Sequence, residues 1–512
     1  MSPRGLGIIG LVLALSGCAV GPNYQRPALE APAQWTESRE QAKAACALEE
    51  IAWWKVFRDP MLDRLIEAAA RANLDLEQAR ARLAQARANV TGAGAALLPS
   101  VEATGSVTRN QGGINTTTSS VPSSIATAAG TIFQAGFDAS WEIDIFGGNR
   151  RGVEAARARL DASVEDLRST LLTLLGDVAR NYANLRASQA QREITRRHVA
   201  AQQQTVEVTR ERFQLGLTSY LDVAQAEAQK ATTASNLPTL EASIKQSMHR
   251  LGILLGKEPN ALKEELSALR PLPKAESLLS LGLPSELLTR RPDLRQAERQ
   301  LAAASADIGV ATADLYPKFD LTAALGLQSS TASKFFQVST GRYWSVAPGV
   351  SWNLFDGGKA RATVTNKRAV YEENLAKYRA SFLSALEDVE NALAAYRAEQ
   401  TKRRILADAV RADAEAVSLA NERYRRGLTS FLDVLVAEKN LYSAQSSLSQ
   451  SEADLLTDLI SLYKALGGGW DAAEIRVAQG PGSLNGRFLP GRNHSDSPGV
   501  SPAPAETSVP GK

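Results

Sequence analysis

Polar and apolar positions alternate one by one in four short stretches of this chain, and apolar positions recur at steps of three and four through two very long ones. In FDASWEIDI (137–145), Phe137, Ala139, Trp141, Ile143 and Ile145 share one face, and Asp138, Ser140, Glu142 and Asp144 share the other. FDLTAALGL (319–327) and WSVAPGVSWNL (344–354) follow the same rule, and VEATGSVT (101–108) follows it more weakly. A period of two predicts strands with one wet and one apolar face, here at about 100–109, 132–146, 318–328 and 343–355. Pro348, inside the fourth, predicts a bulge or an unpaired position.

The longer pattern runs from about Arg151 to Phe213 and from Lys359 to Tyr424. Leu171, Leu174, Val178, Tyr182 and Leu185 mark the first series; Leu375, Tyr378, Phe382, Leu386, Val389, Leu393 and Tyr396 mark the second. Such steps predict coiled-coil-like stripes. About 60 residues at 1.5 Å each give helices on the order of 90 Å. Each breaks at a glycine, Gly216 or Gly427, and a new helix is expected from Ser219 or Ser430. Glycine suits the C-cap and serine the N-cap. Shorter helices are expected at about 61–95 and 285–313, with Pro292 in the first turn of the second.

The two halves are copies. RFQLGLTSYLDVAQAE (212–227) returns as RYRRGLTSFLDVLVAE (423–438), a shift of 211 positions from Gly216 to Gly427. Upstream, LEQARARLAQARANVTGAGAALLPSVEATG (76–105) returns as LRQAERQLAAASADIGVATADLYPKFDLTA (294–323), a shift of 218 from Leu76 to Leu294. Solenoid motifs repeat every 20–50 residues or so, so this is a duplicated structural unit. The change in shift falls within the strand–loop–strand, where insertions are tolerated. The first repeat is placed at 61–270 and the second at 271–470, with tips near 213–222 and 424–433. At the tips the copies differ: Leu215 and Ala224 stand where the second has Arg426 and Leu435.

Alternating strands suit either a soluble sandwich or a membrane barrel with lipid outside and water within. Strand lengths near the 9–11 residues or so that cross a bilayer favour the barrel. So do Trp141, Trp344 and Trp352, which suit interfacial girdles, and the Ser/Thr/Gly-rich loops at 109–131 and 328–341. Four strands cannot close a water-filled barrel, and an open edge in lipid is forbidden. A membrane barrel therefore requires several copies of the chain.

The 512 residues exceed one ordinary core, and the near-balanced charge of +3 carries no basic run that suggests nucleic acid. Residues 1–17 read as a signal peptide: Arg4 precedes an apolar run from Gly5 to Leu15, too short to span a bilayer. Leu15-Ser16-Gly17-Cys18 resembles a bacterial lipobox, which makes Cys18 the lipidated new N-terminus. Ala19 follows, where Asp would act as an inner-membrane retention signal in enteric bacteria, so the outer membrane is favoured. Residues 18–60 are expected to be a lipid-anchored, extended N-terminal segment. Cys46 is the other cysteine, so no disulfide framework is expected. Residues 471–512 read as a disordered tail rich in Pro, Gly and Ser. His198, His249 and His494 are scattered, and no catalytic, metal-binding or phosphate-cradling constellation emerges. Neither an enzyme nor a cofactor is expected.

Strands with a wet face, long helical hairpins and a lipobox together resemble the outer-membrane factor family, the TolC-like ducts of tripartite efflux pumps, in its lipoprotein branch. CAVGPNYQRPALEAPAQW (18–35), WWKVFRDPMLDRLI (53–66), RRPDLRQAERQLAAASADIGVATADLYP (290–317), LSALEDVENAL (383–393) and LYKALGGGW (462–470) resemble its signatures. The resemblance implies a mainly α chain with a membrane β-barrel. Three chains of four strands would close a 12-stranded barrel above an α-helical periplasmic tunnel. It implies a homotrimer that works with a periplasmic adaptor and an inner-membrane transporter of RND type to carry small molecules such as drugs outward. A protein-secretion duct and a pore-less coiled-coil lipoprotein are the alternatives. Adaptor contact is implied for Gly216, Leu217, Thr218 and Ser219, and for Gly427, Leu428, Thr429 and Ser430. A periplasmic gate is implied for Asp433, and for Tyr424 with Asp222 as a hydrogen-bonded pair between neighbouring hairpins. Val436 stands where relatives often carry a further acid, and Thr429 where some carry an arginine latch, so a less charged gate with an apolar constriction is expected.

Overall fold

A computed structural model of the chain describes residues 19–36, 52–110, 130–273 and 286–469. The signal peptide, Cys18, Cys46, residues 111–129 of the first loop, Trp470 and the C-terminal tail with His494 lie outside the described residues. The first repeat runs α1 (Pro60–Ala72), α2 (Leu74–Ala95), β1 (Ser100–Asn110), β2 (Gly130–Ile143), α3 (Gly148–Gln214), α4 (Tyr220–Ala234) and α5 (Asn236–Leu254). The second runs α6 (Pro292–Ala313), β3 (Lys318–Ser329), β4 (Arg342–Ser351), α7 (Lys359–Arg425) and α8 (Phe431–Ala465). α3 and α7 each have 67 residues, about 100 Å of helix.

The four strands form one antiparallel meander in the order β1-β2-β3-β4, so β2 and β3 join the two repeats. The register carries the side-chain alternation across all four. Ala103, Phe137, Leu325 and Trp344 stand in one row, and Val101, Ala139, Ala323 and Val346 in another. Alternating with them run rows on the other face: Glu102, Asp138, Ala324 and Ser345; then Thr104, Gly136, Gly326 and Tyr343. The sheet therefore has one apolar face and one wet face, because directly opposed residues point to the same side. Thr104 Oγ1 donates to Asp138 Oδ2 at 2.7 Å, and Gln134 Nε2 donates to the Tyr343 hydroxyl at 2.8 Å, both on the wet face. Val101, Val107, Leu325, Trp344, Val346 and Val350 are each more than half exposed.

The strands end earlier than the alternation suggests. β2 stops at Ile143 because Asp144 Oδ2 accepts from the backbone N–H of Arg150 (2.8 Å) and turns the chain toward α3. β4 stops at Ser351, so Trp352 and Leu354 lie beyond it. Gly147 and Gly358 open the long helices rather than close strands; each is an N-cap with positive φ (80° and 92°). Trp141 and Trp352 make the same contact in each copy. Their indole N–H groups donate to Leu97 O (3.1 Å) and Leu315 O (3.2 Å), tying the helix side of the sheet to the turn before β1 and β3. Pro348 causes no bulge, since pairing runs unbroken from Leu327–Arg342 to Lys318–Ser351. Within the chain β4 pairs with β3 alone, so the missing N–H can face away from that pairing.

The main apolar core sits about halfway along α3 and α7. There Trp53, Leu65, Val178, Tyr182, Leu251, Phe382, Leu393 and Tyr463 are buried together. Trp53 stacks on Tyr463 with ring centroids 5.6 Å apart. Three expected single helices are divided: Arg291 parts Leu287–Arg290 from α6, and two more breaks lie near the core. Asn73 splits 61–95 into α1 and α2: its Oδ1 accepts from Leu76 N (3.0 Å) and its Nδ2 donates to Leu254 O (3.0 Å). Ser235 separates α4 from α5, whereas α8 runs unbroken for 35 residues.

Residues 19–36 form an extended strap along this frame. Val20 N donates to Phe146 O (3.0 Å), Arg151 Nη2 to Asn23 Oδ1 (2.7 Å), the Tyr24 hydroxyl to Glu298 Oε1 (2.6 Å), and Thr36 N to Glu390 Oε1 (2.8 Å). Gly21, at φ +93°, crosses α6 so closely that a Cβ would lie 2.4 Å from Gly309 Cα. Among the described residues, no helix is long and apolar enough to cross a membrane.

Candidate functional site

The two helical tips are near-identical constructions. At the first, Leu215 N donates to Glu211 O, Gly216 N to Phe213 O and Leu217 N to Arg212 O; at the second, Arg426 N donates to Glu422 O, Gly427 N to Tyr424 O and Leu428 N to Arg423 O. Gly216 (φ +73°) and Gly427 (φ +72°) occupy the left-handed conformation that lets the chain fold back over the last turn. Nothing lies within 4 Å of a Cβ built on either, so glycine is required there for conformation, not for space.

The next helix starts with a Thr-Ser-x-x-Asp segment in both copies. Thr218 Oγ1 donates to Asp222, and Thr429 Oγ1 to Asp433. At the second tip Ser430 Oγ also donates to Asp433 Oδ2 (3.0 Å), and its backbone N–H does so at 3.2 Å, completing a capping box. The first tip departs from expectation here: Ser219 takes the N-cap position, but its side chain makes no cap bond. Hydrogen bonds from Thr429 and then Ser430 hold the exposed Asp433 carboxyl below its ordinary range.

These caps leave a leucine-rich surface at the very end of the molecule. Leu215, Leu217, Tyr220, Leu221, Leu428 and Leu432 are all more than half exposed. Val436 is about half exposed, one turn after Asp433. The structure thus brings together Gly216 to Ser219 with Asp222, and Gly427 to Ser430 with Asp433.

It does not bring Tyr424 to Asp222 within one chain. Tyr424 is buried among Val206, Ala226, Phe431 and Val434. Its ring lies 5.7 Å from that of Phe431, and its hydroxyl has no partner within the described chain. Arg212 covers the ring instead, with its guanidinium carbon 4.6 Å from the centroid, and its Nη1 donates to Arg425 O (3.3 Å). Nothing in the periodicity marks Arg212, because the contact joins residues about two hundred positions apart.

Further along α3 and α8 runs a layer of buried polar groups. His198 Nε2 bonds Gln445 Oε1 (2.8 Å), and Thr205 Oγ1 donates to Glu438 Oε1 (2.8 Å). Burial pushes the Glu438 carboxyl up, and the Thr205 bond offsets this only in part. No group of three or more His, Cys, Asp or Glu suited to a metal occurs among the described residues.

A family model described as outer membrane efflux protein matches residues 65–257 and again 283–468, once for each repeat. The chain is similar to the pyoverdine export outer membrane protein OpmQ of Pseudomonas putida, 36% identical over 472 residues that cover 92% of this chain and 98% of that protein. It is also similar to the toluene efflux pump outer membrane protein TtgF of Pseudomonas putida, 31% identical over 475 residues, with 90% and 96% covered. Among solved structures, the outer-membrane channel OprN superposes with a TM-score of 0.83 at 35% identity, covering 89% of this chain and 100% of that one. The open state of the Neisseria gonorrhoeae MtrE outer membrane channel superposes at 0.79 with 28% identity, covering 89% and 99%.

Proposed function

Since the chain belongs to the outer membrane efflux protein family, we propose that three copies close a 12-stranded barrel that opens into a helical tunnel, forming the outer-membrane duct of a tripartite efflux pump. One observation carries this reading: the four-stranded sheet has an apolar and a wet face in strict register, and β1 and β4 are left as its outer strands. Such a sheet is stable in a bilayer only when its edges are joined to others and its wet face lines water. Small molecules are the cargo class, in keeping with the relatives named for pyoverdine and toluene.

A periplasmic adaptor would dock at the tips through Gly216, Leu217, Thr218 and Ser219, and through Gly427, Leu428, Thr429 and Ser430. Their exposed leucines support this, and an RND-type inner-membrane transporter would complete the pump. At the aperture, three Asp433 carboxylates would repel one another and attract cations, with Val436 adding an apolar ring. Asp222 and Tyr424 would belong to the same gate, from a shared position at the tips. A purified trimer in a planar bilayer should give discrete conductance steps; a trimer that inserts and never conducts would rule out the duct.

Lipidation of Cys18 is supported by the strap. Ala19 lies against Gly147, just beyond the helix-side end of β2, so an acyl chain on the preceding residue would meet the inner leaflet of the outer membrane. Cys18→Ser should abolish incorporation of labelled palmitate. Undiminished label in that variant would move the anchor elsewhere.

A further inference from the structure

Resting on the duct reading above, we propose that Arg212 is the positioning residue of the gate, clamping the end of α7 to α3 while the tip is closed. Away from the tip a cleft of about 560 Å3 lies between these helices, with Gln202 and Thr205 on α3, Ser418 and Asn421 on α7, and Glu438 on α8 among its walls. Tyr424 lines it toward the tip together with Arg425 and Arg426, and Arg212 reaches across over the Tyr424 ring.

The clamp has two parts. The guanidinium lies over the Tyr424 ring at 4.6 Å, and Phe431 packs against the same ring at 5.7 Å. Its Nη1 also donates to Arg425 O, a carbonyl of the last turn of α7. The last four carbonyls of a helix lack intrahelical donors and carry its negative dipole end, so a cation from the other hairpin is favourable there. A planar guanidinium can stack and donate at once, which an ammonium cannot.

The duplication supplies an internal control. The counterpart of Arg212 is Arg423, which is exposed and contributes charge to Asp433. The counterpart of Tyr424 is Phe213, which is partly exposed and contacts Tyr220 at 5.7 Å. An arginine and an aromatic ring at equivalent positions therefore clamp one hairpin to the other at only one of the two tips, and that tip carries Tyr424 and Asp433. An aperture that opens by parting the hairpins must break this contact first.

Four variants test the clamp: Arg212→Ala, Arg212→Lys, Tyr424→Leu and Tyr424→Phe. A stacked cation of this kind shifts the closed-to-open ratio about two- to fivefold per chain. Arg212→Ala and Tyr424→Leu should raise the open fraction of purified trimers in planar bilayers by at least about that factor. Arg212→Lys should fall between these and the wild type. Tyr424→Phe keeps the ring that Arg212 covers, so it should change the open fraction less than Arg212→Ala does. A second readout needs no conduction: spin labels at Gln204 and Ser418, on opposite walls of the cleft, should report a longer and broader distance in Arg212→Ala. Wild-type values for Arg212→Ala in both readouts would overturn the proposal. So would a Tyr424→Phe effect as large as that of Arg212→Ala, since control would then lie with the hydroxyl. A wild-type trimer that fails to conduct would sink the duct, while the label distance would still test the clamp.

Discussion

Gly326→Val should nearly abolish assembled trimer. Gly136 and Gly326 face each other across the β2–β3 seam on the wet side of the sheet. A Cβ on Gly326 would lie 2.5 Å from Ala135 O, 2.8 Å from Gly136 Cα and 2.9 Å from a Tyr343 ring carbon. A Cβ on Gly136 would meet Leu325 O at 2.6 Å. Two of the first three obstacles are backbone, so no rotamer change relieves the overlap. The seam must move, and it is the junction of the two repeats. Overpacking costs about 1–3 kcal/mol per site, and in a trimer the site occurs three times. The amount of trimer resolved on an unheated gel should fall roughly tenfold or more. Gly105→Ala is the matched control, since its nearest neighbour lies 4.0 Å away, and it should assemble normally. Normal trimer yield from Gly326→Val would mean that the packing of Tyr343 over the paired glycines does not hold the sheet.

Gly427→Val should cut efflux roughly tenfold while sparing the barrel, which is the change expected when about 1.4 kcal/mol of interface energy is lost. Space is not the reason, for nothing stands within 4 Å of the new Cβ. The cost comes from φ, +72° here, a region that disfavours L-residues by about 1–2 kcal/mol and β-branched ones most. Relieving it breaks the Leu428 N to Arg423 O bond and turns the exposed Leu428 away from its present direction. Gly427→Ala should lie between. The measurement is drug susceptibility of a strain whose only copy is the variant, alongside trimer yield and conductance. Because the sheet lies at the opposite end of helices about 100 Å long, yield should stay at wild-type level. Wild-type resistance in Gly427→Val would remove the tip from the adaptor interface.

The tips show how far sequence reading reached, and where it stopped. The repeated Gly-Leu-Thr-Ser marked both turns, and both adopt the expected glycine caps. The same likeness hid a difference, since Ser430 donates to the Asp433 carboxylate through its hydroxyl and backbone N–H, and no such bond joins Ser219 to Asp222. Alternation placed all four strands, but it overran β2 and β4. A period of two continues through Asp144 and Trp352 although the backbone has already turned toward Arg150 or beyond the sheet. Pro348 was read from its missing N–H alone; that it needs no bulge depends on β3 being its one partner strand within the chain.

Taken by itself, the sequence determined the duplication, the two periods, the glycine breaks and the family, because each is a local pattern that survives without knowing what lies opposite. Only the tertiary structure decided that the apolar rows align across both repeats, that Tyr343 lies beside two facing glycines, and that Arg212 rather than Asp222 meets Tyr424 within the chain. Those facts join residues up to about two hundred positions apart. They follow from strand register and helix packing, which a one-residue slip would reverse, and no periodicity along a single segment encodes them.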